Sequence, residues 1–286
     1  MNTQFWLIQT FNGISYGALL FLVGSGLSLI FGVMRIVNLA HGSYFLLGGY
    51  VALSVIWTTG SWLLAIPVAA LSIALVGLLM ERFFLRPLGF DPMRQVLLTV
   101  GFAFLFQQAA LDIWTGNNFN INPPDALTKS IVVGGIYFPL YRTFMIGTAL
   151  TIGLILWLVM EKTRMGAAVR ATVDDAQMAR GVGIDTSRIS MFIFALGAFL
   201  AALGGVIGGA FLGIYPGLDF EILPLAFAVV IIGGMGSLGG AAIGALLVGL
   251  ADNFGKALFP EISYFTLYAP MALILAVKPT GLFGRE

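Results

Sequence analysis

Residues 5–33 contain no charged side chain. Comparable apolar runs follow at 39–57, 62–80, 96–114, 143–160, 189–214 and 265–277, the last short enough that its start is expected earlier. A helix crosses a hydrocarbon core in about 20 residues. A membrane barrel instead shows ~10-residue segments of alternating polarity, and these runs are longer and continuous. A soluble body fails on surface. The chain is 59% hydrophobic and 9% charged, whereas a soluble domain is about one quarter charged. Even a very large core needs a polar shell. The reading is an all-α, polytopic helical membrane protein, one transmembrane domain over residues 1–286.

The stretch 223–250 departs from the pattern. As one straight helix it would be about 42 Å long, more than a bilayer core needs. Its middle holds Gly233, Gly234, Gly236, Gly239 and Gly240. The expectation is two short helices around a glycine turn, as two spans or a re-entrant hairpin. That makes 8–9 spans in all.

Lys and Arg set the orientation. With the N-terminus outside, the inner segments hold Arg35; Arg82, Arg86 and Arg94; Lys162, Arg164, Arg170, Arg180 and Arg188; and Lys278 and Arg285. That is 11 of the 14 basic residues, leaving Lys129, Arg142 and Lys256 outside. A single crossing over 223–250 would export the basic tail; two crossings, or a hairpin with both ends on one side, keep it in the cytoplasm. No basic segment precedes the first apolar run, so 5–33 reads as a retained span, not a cleaved signal peptide. The net charge of +1 leaves no nucleic-acid footprint, and the absence of cysteine excludes disulfides and thiolate metal sites.

Charge is concentrated in one inner segment. Residues 161–188 carry nine of the 27 charged side chains. Within 166–181, Val169, Val173 and Ala176 recur at i, i+4 and i+7, with Thr172 and Ala179 beside them, which is a helical stripe. Arg170 and Asp174 form an i, i+4 pair. Gly181 and Gly183 end the helix. The expectation is one short amphipathic cytoplasmic helix with a small-residue face. It carries two aspartates and no aromatic, which suits a protein partner better than a lipid surface. The outer loop 115–142, with Asn117, Asn118, Asn120, Asn122 and Pro123-Pro124, is either a dock for an external partner or an inert solvated loop.

Small residues at four-residue spacing let helices pack closely in lipid. Gly205, Gly209 and Gly213 recur in this way, as do Gly236, Gly240 and Gly244, and Gly13 with Gly17. Gly234-x-Gly236-x-x-Gly239 copies the letters of a dinucleotide fingerprint. It lacks the soluble βαβ setting and the acidic residue about 20 positions on. Half-helix ends around a glycine turn can instead hold an anionic group. There is no P-loop, so ATP hydrolysis by that route needs another chain. His41, the single histidine, lacks the companions of a metal site. It either fixes a helix end by hydrogen bonding or lines a pathway, since ionisable groups at membrane depth tend to be functional. Gln107, Gln108 and Asp112 line a polar route or bond other helices.

Three segments carry a family resemblance. Asn38-Leu-Ala-His41-Gly42 followed by Gly48-Gly49-Tyr50 is similar to an early motif, and Gly233-Gly-Met-Gly-Ser237-Leu-Gly-Gly-Ala-Ala-Ile-Gly244 to a late glycine-rich one. Asp175, Ala179, Gly183 and Ile184, after Arg170, resemble the segment through which ABC permeases contact their ATPases, with Asp-Asp-Ala where the wider pattern has Glu-Ala-Ala. The chain resembles a permease of the branched-chain amino acid type of ABC importer, on the LivH-like side of the pair. The resemblance implies a non-catalytic subunit in the bacterial plasma (inner) membrane. It implies a second homologous, LivM-like permease, two cytoplasmic ATPase subunits that bind ATP and Mg, and an external substrate-binding protein. It implies no cofactor in this chain and a small polar substrate such as leucine, isoleucine or valine. Relatives with these motifs carry urea, short amides or aromatic acids.

The expected pathway residues are Asn38, His41, Gly42, Gly234, Gly236, Ser237 and Gly239. The expected ATPase-coupling residues are Arg170, Asp174, Asp175, Ala179, Gly183 and Ile184. Scarce buried charge suits a neutral or zwitterionic solute. Two other classes remain. A secondary transporter fits the broken spans but lacks a buried acidic pair. A membrane enzyme lacks a nucleophile–base set or metal cluster.

Overall fold

A computed structural model describes residues 3–89, 91–278 and 280–284. Eleven α-helices are found there: α1 (Thr3–Met34), α2 (His41–Thr59), α3 (Trp62–Met80), α4 (Pro92–Trp114), α5 (Leu140–Lys162), α6 (Arg164–Asp174), α7 (Ala176–Gly181), α8 (Thr186–Leu212), α9 (Leu218–Gly233), α10 (Leu238–Leu258) and α11 (Ser263–Val277). The fold is all-helical apart from one antiparallel hairpin, β1 (Ser130–Val133) with β2 (Ile136–Pro139), in the polar loop before α5.

Helix starts follow local chemistry. Ser61, Asp91, Asp185 and Ser237 each accept a backbone N–H in the first turn of α3, α4, α8 and α10. Side-chain oxygens at this position satisfy donors that the helix itself leaves open. Pro92 follows Asp91, where its missing N–H costs nothing. After α3 the helical path continues through a π-helical turn, Glu81–Leu85, and a 3-10 turn, Arg86–Leu88.

Among the described residues, six helical stretches are long and apolar enough to cross a membrane: Thr3–Met34, Trp62–Leu88, Pro92–Trp114, Leu140–Lys162, Thr186–Leu212 and Leu238–Leu258. The expectation of 8–9 spans, with one pair at 223–250 short or re-entrant, exceeds this number. Outside this set, α2 has 19 residues and begins with the polar His41, while α9 has 16 and α11 has 15. Arg285, counted for the basic tail, lies outside the described residues.

At the centre, α1 and α8 are packed on most sides, with Leu19, Leu20, Leu22, Ile30, Phe194 and Val206 almost wholly buried. Their contacts are backbone to backbone. A Cβ on Gly205 would overlap the carbonyl of Phe45 in α2, and one on Gly17 would lie 2.7 Å from the carbonyl oxygen of Ala245 in α10. The expected glycine packing is present there, with one exception. Gly213 lies beyond α8, in the left-handed region (φ +79°), and serves a turn. The peripheral helices α3, α4 and α5 instead expose Leu63, Leu71, Phe104, Ile113, Leu150 and Trp157. Without a membrane or partner such a surface would be unstable in water.

The expected pair of helices at 223–250 is present but longer at both ends, as α9 and α10. They form an antiparallel hairpin: Cβ atoms on Gly233 and Gly240 would each overlap the other's carbonyl, and one on Gly244 would overlap that of Val229. Gly234 (φ +103°) and Gly236 (φ +81°) make the turn.

Candidate functional site

Segment 161–188 sits at one end of the bundle, and the expected single helix over 166–181 is two helices. Thr163 caps α6 by accepting from the Gly166 amide. Asp175 breaks the run. Its backbone is extended, and its carboxylate accepts from the Gln177 and Met178 amides at 2.8 and 2.9 Å, which starts α7. Aspartate offers the backbone this alternative to continuing a helix. The two amide hydrogen bonds hold the Asp175 carboxyl below its ordinary range.

The small-residue stripe faces inward, not toward a partner. Val169, Thr172 and Ala179 are buried, Ala179 at 3% exposure. The open surface is different: Gln177, Arg180 and Gly183 are exposed, as are the apolar Met178 (65%) and Val182 (69%). Ile184 is half-buried, and its amide donates to the Ala179 carbonyl. Arg170 points back to the Met160 carbonyl and to Glu161.

A groove of about 1460 Å³ runs along α1 between α5 and α10. Its apolar length is walled by Phe21, Leu154 and Leu246, and its polar end by Arg35, Glu161, Arg170, Asp174 and residues Met235 to Gly239. The structure thus brings Gly236, Ser237 and Gly239 of the late motif into one groove with Arg170 and Asp174 of the coupling segment. Gly234 is outside this lining. Beside it the C-terminal segment folds back, and the Leu282 and Phe283 amides donate to the Ile232 and Gly233 carbonyls at 2.9 and 3.0 Å.

Asn38, His41 and Gly42 do not line the groove. After α1 the chain turns at Arg35 (φ +54°) and runs back into the bundle, so that α2 starts deep inside. Asn38 and His41 are 0% exposed, and His41 Nε2 donates to the Val23 carbonyl at 3.0 Å. Val23 lies 11 residues before the end of α1, about 16 Å of helix rise. This is close to half of a hydrocarbon core roughly 30 Å thick.

The same thing happens from the other end. After α8, Ile214 pairs with Phe119 through two backbone hydrogen bonds of 2.7 and 2.9 Å, and the chain turns inward to begin α9 at Leu218. The N-termini of α2 and α9 therefore meet. A Cβ on Gly42 would overlap the Asp219 carbonyl, and Ser43 Oγ donates to Asp219 Oδ2 at 3.0 Å. Asp219 is 2% exposed and its Oδ1 has no hydrogen-bond partner, while the amides of Asp219 and Phe220 face the carboxylate.

Asp219 corrects the expectation of scarce buried charge, and it was missed because 215–222 read as a loop between spans. Three carboxylates are buried among the described residues: Glu81, Asp219 and Asp252. Glu81 lies 3.6 Å from Arg86 and Asp252 lies 2.7 Å from Lys256. Asp219 has no such cation. A helix N-terminus returns at most ~2 kcal/mol to an anion, against several kcal/mol for burying an ion. The available sequence signal was an acid two residues past a Pro-Gly turn, Asp219 after Pro216-Gly217, which is also a helix-start signature.

The comparisons with known proteins agree on an import-system permease. Residues 9–275 match the model of the family described as branched-chain amino acid transport system / permease component. The high-affinity branched-chain amino acid transport system permease protein LivH of Escherichia coli (strain K12) is 30% identical, over 100% of this chain and 98% of its own. The corresponding permease BraD of Pseudomonas aeruginosa is 28% identical over 98% and 96%. The autoinducer 2 import system permease LsrC of Escherichia coli O9:H4 is 28% identical over 88% and 73%. No solved structure matches. With helices built to cross a membrane and a family match along nearly its whole length, the chain belongs to the branched-chain amino acid transport system permease family.

Proposed function

We propose that this chain is one of two permeases in a binding-protein-dependent ABC importer, and that it moves branched-chain amino acids by alternating access in a bacterial plasma membrane. The observation that carries the reading is the full-length match to a permease named for high-affinity branched-chain amino acid transport. In this reading the N-terminus and the hairpin loop face outside, and the segment 164–184 and the C-terminus face the cytoplasm. The short helices α2 and α9 are deep half-spans that complete the crossing set. Two separate ATPase subunits bind ATP and Mg, and α6 and α7 offer the surface on which this permease meets them. A second, LivM-like permease covers exposed apolar faces, and an external binding protein delivers the solute.

The test is reconstitution. Proteoliposomes holding both permeases, both ATPases and the binding protein take up L-leucine when ATP is supplied, with ion gradients dissipated. Uptake by this chain alone without ATP refutes the reading and supports an ion-coupled carrier. A second reading, a permease for urea, short amides, aromatic acids or another small polar solute, is favoured by the 28% identity to a permease named for autoinducer 2 import. A ligand screen of the cognate binding protein by thermal shift decides between them.

A further inference from the structure

We infer that Asp219, held by Ser43 at the meeting of the α2 and α9 N-termini, is the counter-charge that receives the ammonium group of a zwitterionic amino acid midway through the bundle. The inference rests on the amino-acid reading given above and assigns its central contact.

The site is a carboxylate without a cation. Asp219 is 2% exposed, accepts a side-chain hydrogen bond from Ser43 Oγ at 3.0 Å beside the facing amides of Asp219 and Phe220, and has no further partner at Oδ1. Each other buried carboxylate among the described residues has a basic side chain within 4 Å. Ionisable groups at this depth pair with one another or mark a substrate path. The partial positive ends of two helices orient the carboxylate but do not neutralise it. The ammonium group of an amino acid can form a local ion pair with this carboxylate, which a solute without a cationic nitrogen cannot do.

The surroundings fit a path to that point. Ser43 and Tyr50 are seven residues apart on α2 and so share one face. The Tyr50 hydroxyl is buried and unpartnered. Tyr50 stacks on Trp114 at 5.0 Å, and Phe119 lies edge-on to Tyr50 and to Trp57. Phe119 is also the residue whose backbone is tied to Ile214. The aromatic set and this two-bond clasp pack together on the side of α2 that carries Tyr50. On the other side, His41 Nδ1 is buried without a partner one helical turn or less from Ser43. Three buried polar atoms without hydrogen-bond partners, Asp219 Oδ1, Tyr50 Oη and His41 Nδ1, therefore lie on α2 and at the start of α9.

The experiment uses the complete transporter in proteoliposomes and reads L-leucine moved per ATP hydrolysed. That ratio separates binding from folding, because a structural failure lowers both rates together. Asp219→Asn keeps shape and removes charge; the ratio is expected to fall at least tenfold, and Asp219→Glu to recover part of the loss. Ser43→Ala is expected to lower the ratio severalfold. An Asp219→Asn transporter with a wild-type ratio overturns the assignment, and so does a proportional loss of both rates. Should Asp219→Asn fail to assemble, Ser43→Ala decides, and an unchanged ratio there also overturns it. A wild-type transporter that hydrolyses ATP but moves no leucine refutes the amino-acid reading instead. The assay then uses the ligand identified for the binding protein. A ligand without a cationic nitrogen overturns the role of Asp219, and one that has it must show the same tenfold dependence.

Discussion

Single residues decide where this chain bends. Asp175 turns an amphipathic stripe into two helices, because its carboxylate binds amides that a continuous helix would leave to other carbonyls. Its lowered pKa fixes the pH behaviour. A depressed carboxylate contributes its capping above its unfolded pKa of about 3.9 and loses it as pH falls through the lower folded value. Amide exchange protection over 176–181 should therefore hold constant from neutral pH down to about pH 4, the unfolded value, and decline only below it. Asp175→Ala should remove that protection at neutral pH, while Asp175→Asn, still a good cap, should keep most of it. Glycines act by the opposite means, through what they lack. Gly205→Ala places a methyl group into the Phe45 carbonyl, and overpacking of this kind costs about 1–3 kcal/mol. Gly101→Ala meets nothing within 4 Å. Thermal unfolding of the purified chain should show a clear fall in Tm for the first and no fall for the second.

Among the elements, α6 and α7 show how an amphipathic pattern can mislead about direction. Periodicity identifies an apolar face but not whether that face meets a partner or the chain's own bundle. Here Val169, Thr172 and Ala179 are buried, so a large charged residue at Ala179 breaks the segment itself. The exposed pair Met178 and Val182 is the better probe of docking. Met178→Asp should reduce copurifying ATPase at least fivefold with Tm unchanged, whereas Ala179→Arg should lower both. A Met178→Asp transporter that retains its ATPases refutes docking at this face. The long helices α1, α5 and α8 are legible in the sequence because uncharged runs of that length have few other outcomes. The start of α9 is not, because Asp219 and Glu221 sit in its first turn and resemble loop residues.

For the whole molecule, the proposed orientation rests on where 11 of 14 basic residues fall. The absence of cysteine makes this direct to test, since a single introduced thiol has no background. Lys129→Cys should react with an impermeant maleimide in intact cells. Met178→Cys should react only after permeabilisation; the reverse pattern inverts the topology. Sequence alone determined the membrane-spanning character, the helical class, the glycine turn after α9 and the permease family. Each of these depends on composition or on spacing within one stretch of chain. Only the tertiary structure decided that segments 35–40 and 213–217 run back into the bundle and bring Ser43 to Asp219. These residues are 176 positions apart, and no local pattern records a contact over that separation. It arises because glycines let α1, α2, α8 and α9 approach closely enough to enclose a carboxylate that sequence reading had left in a loop.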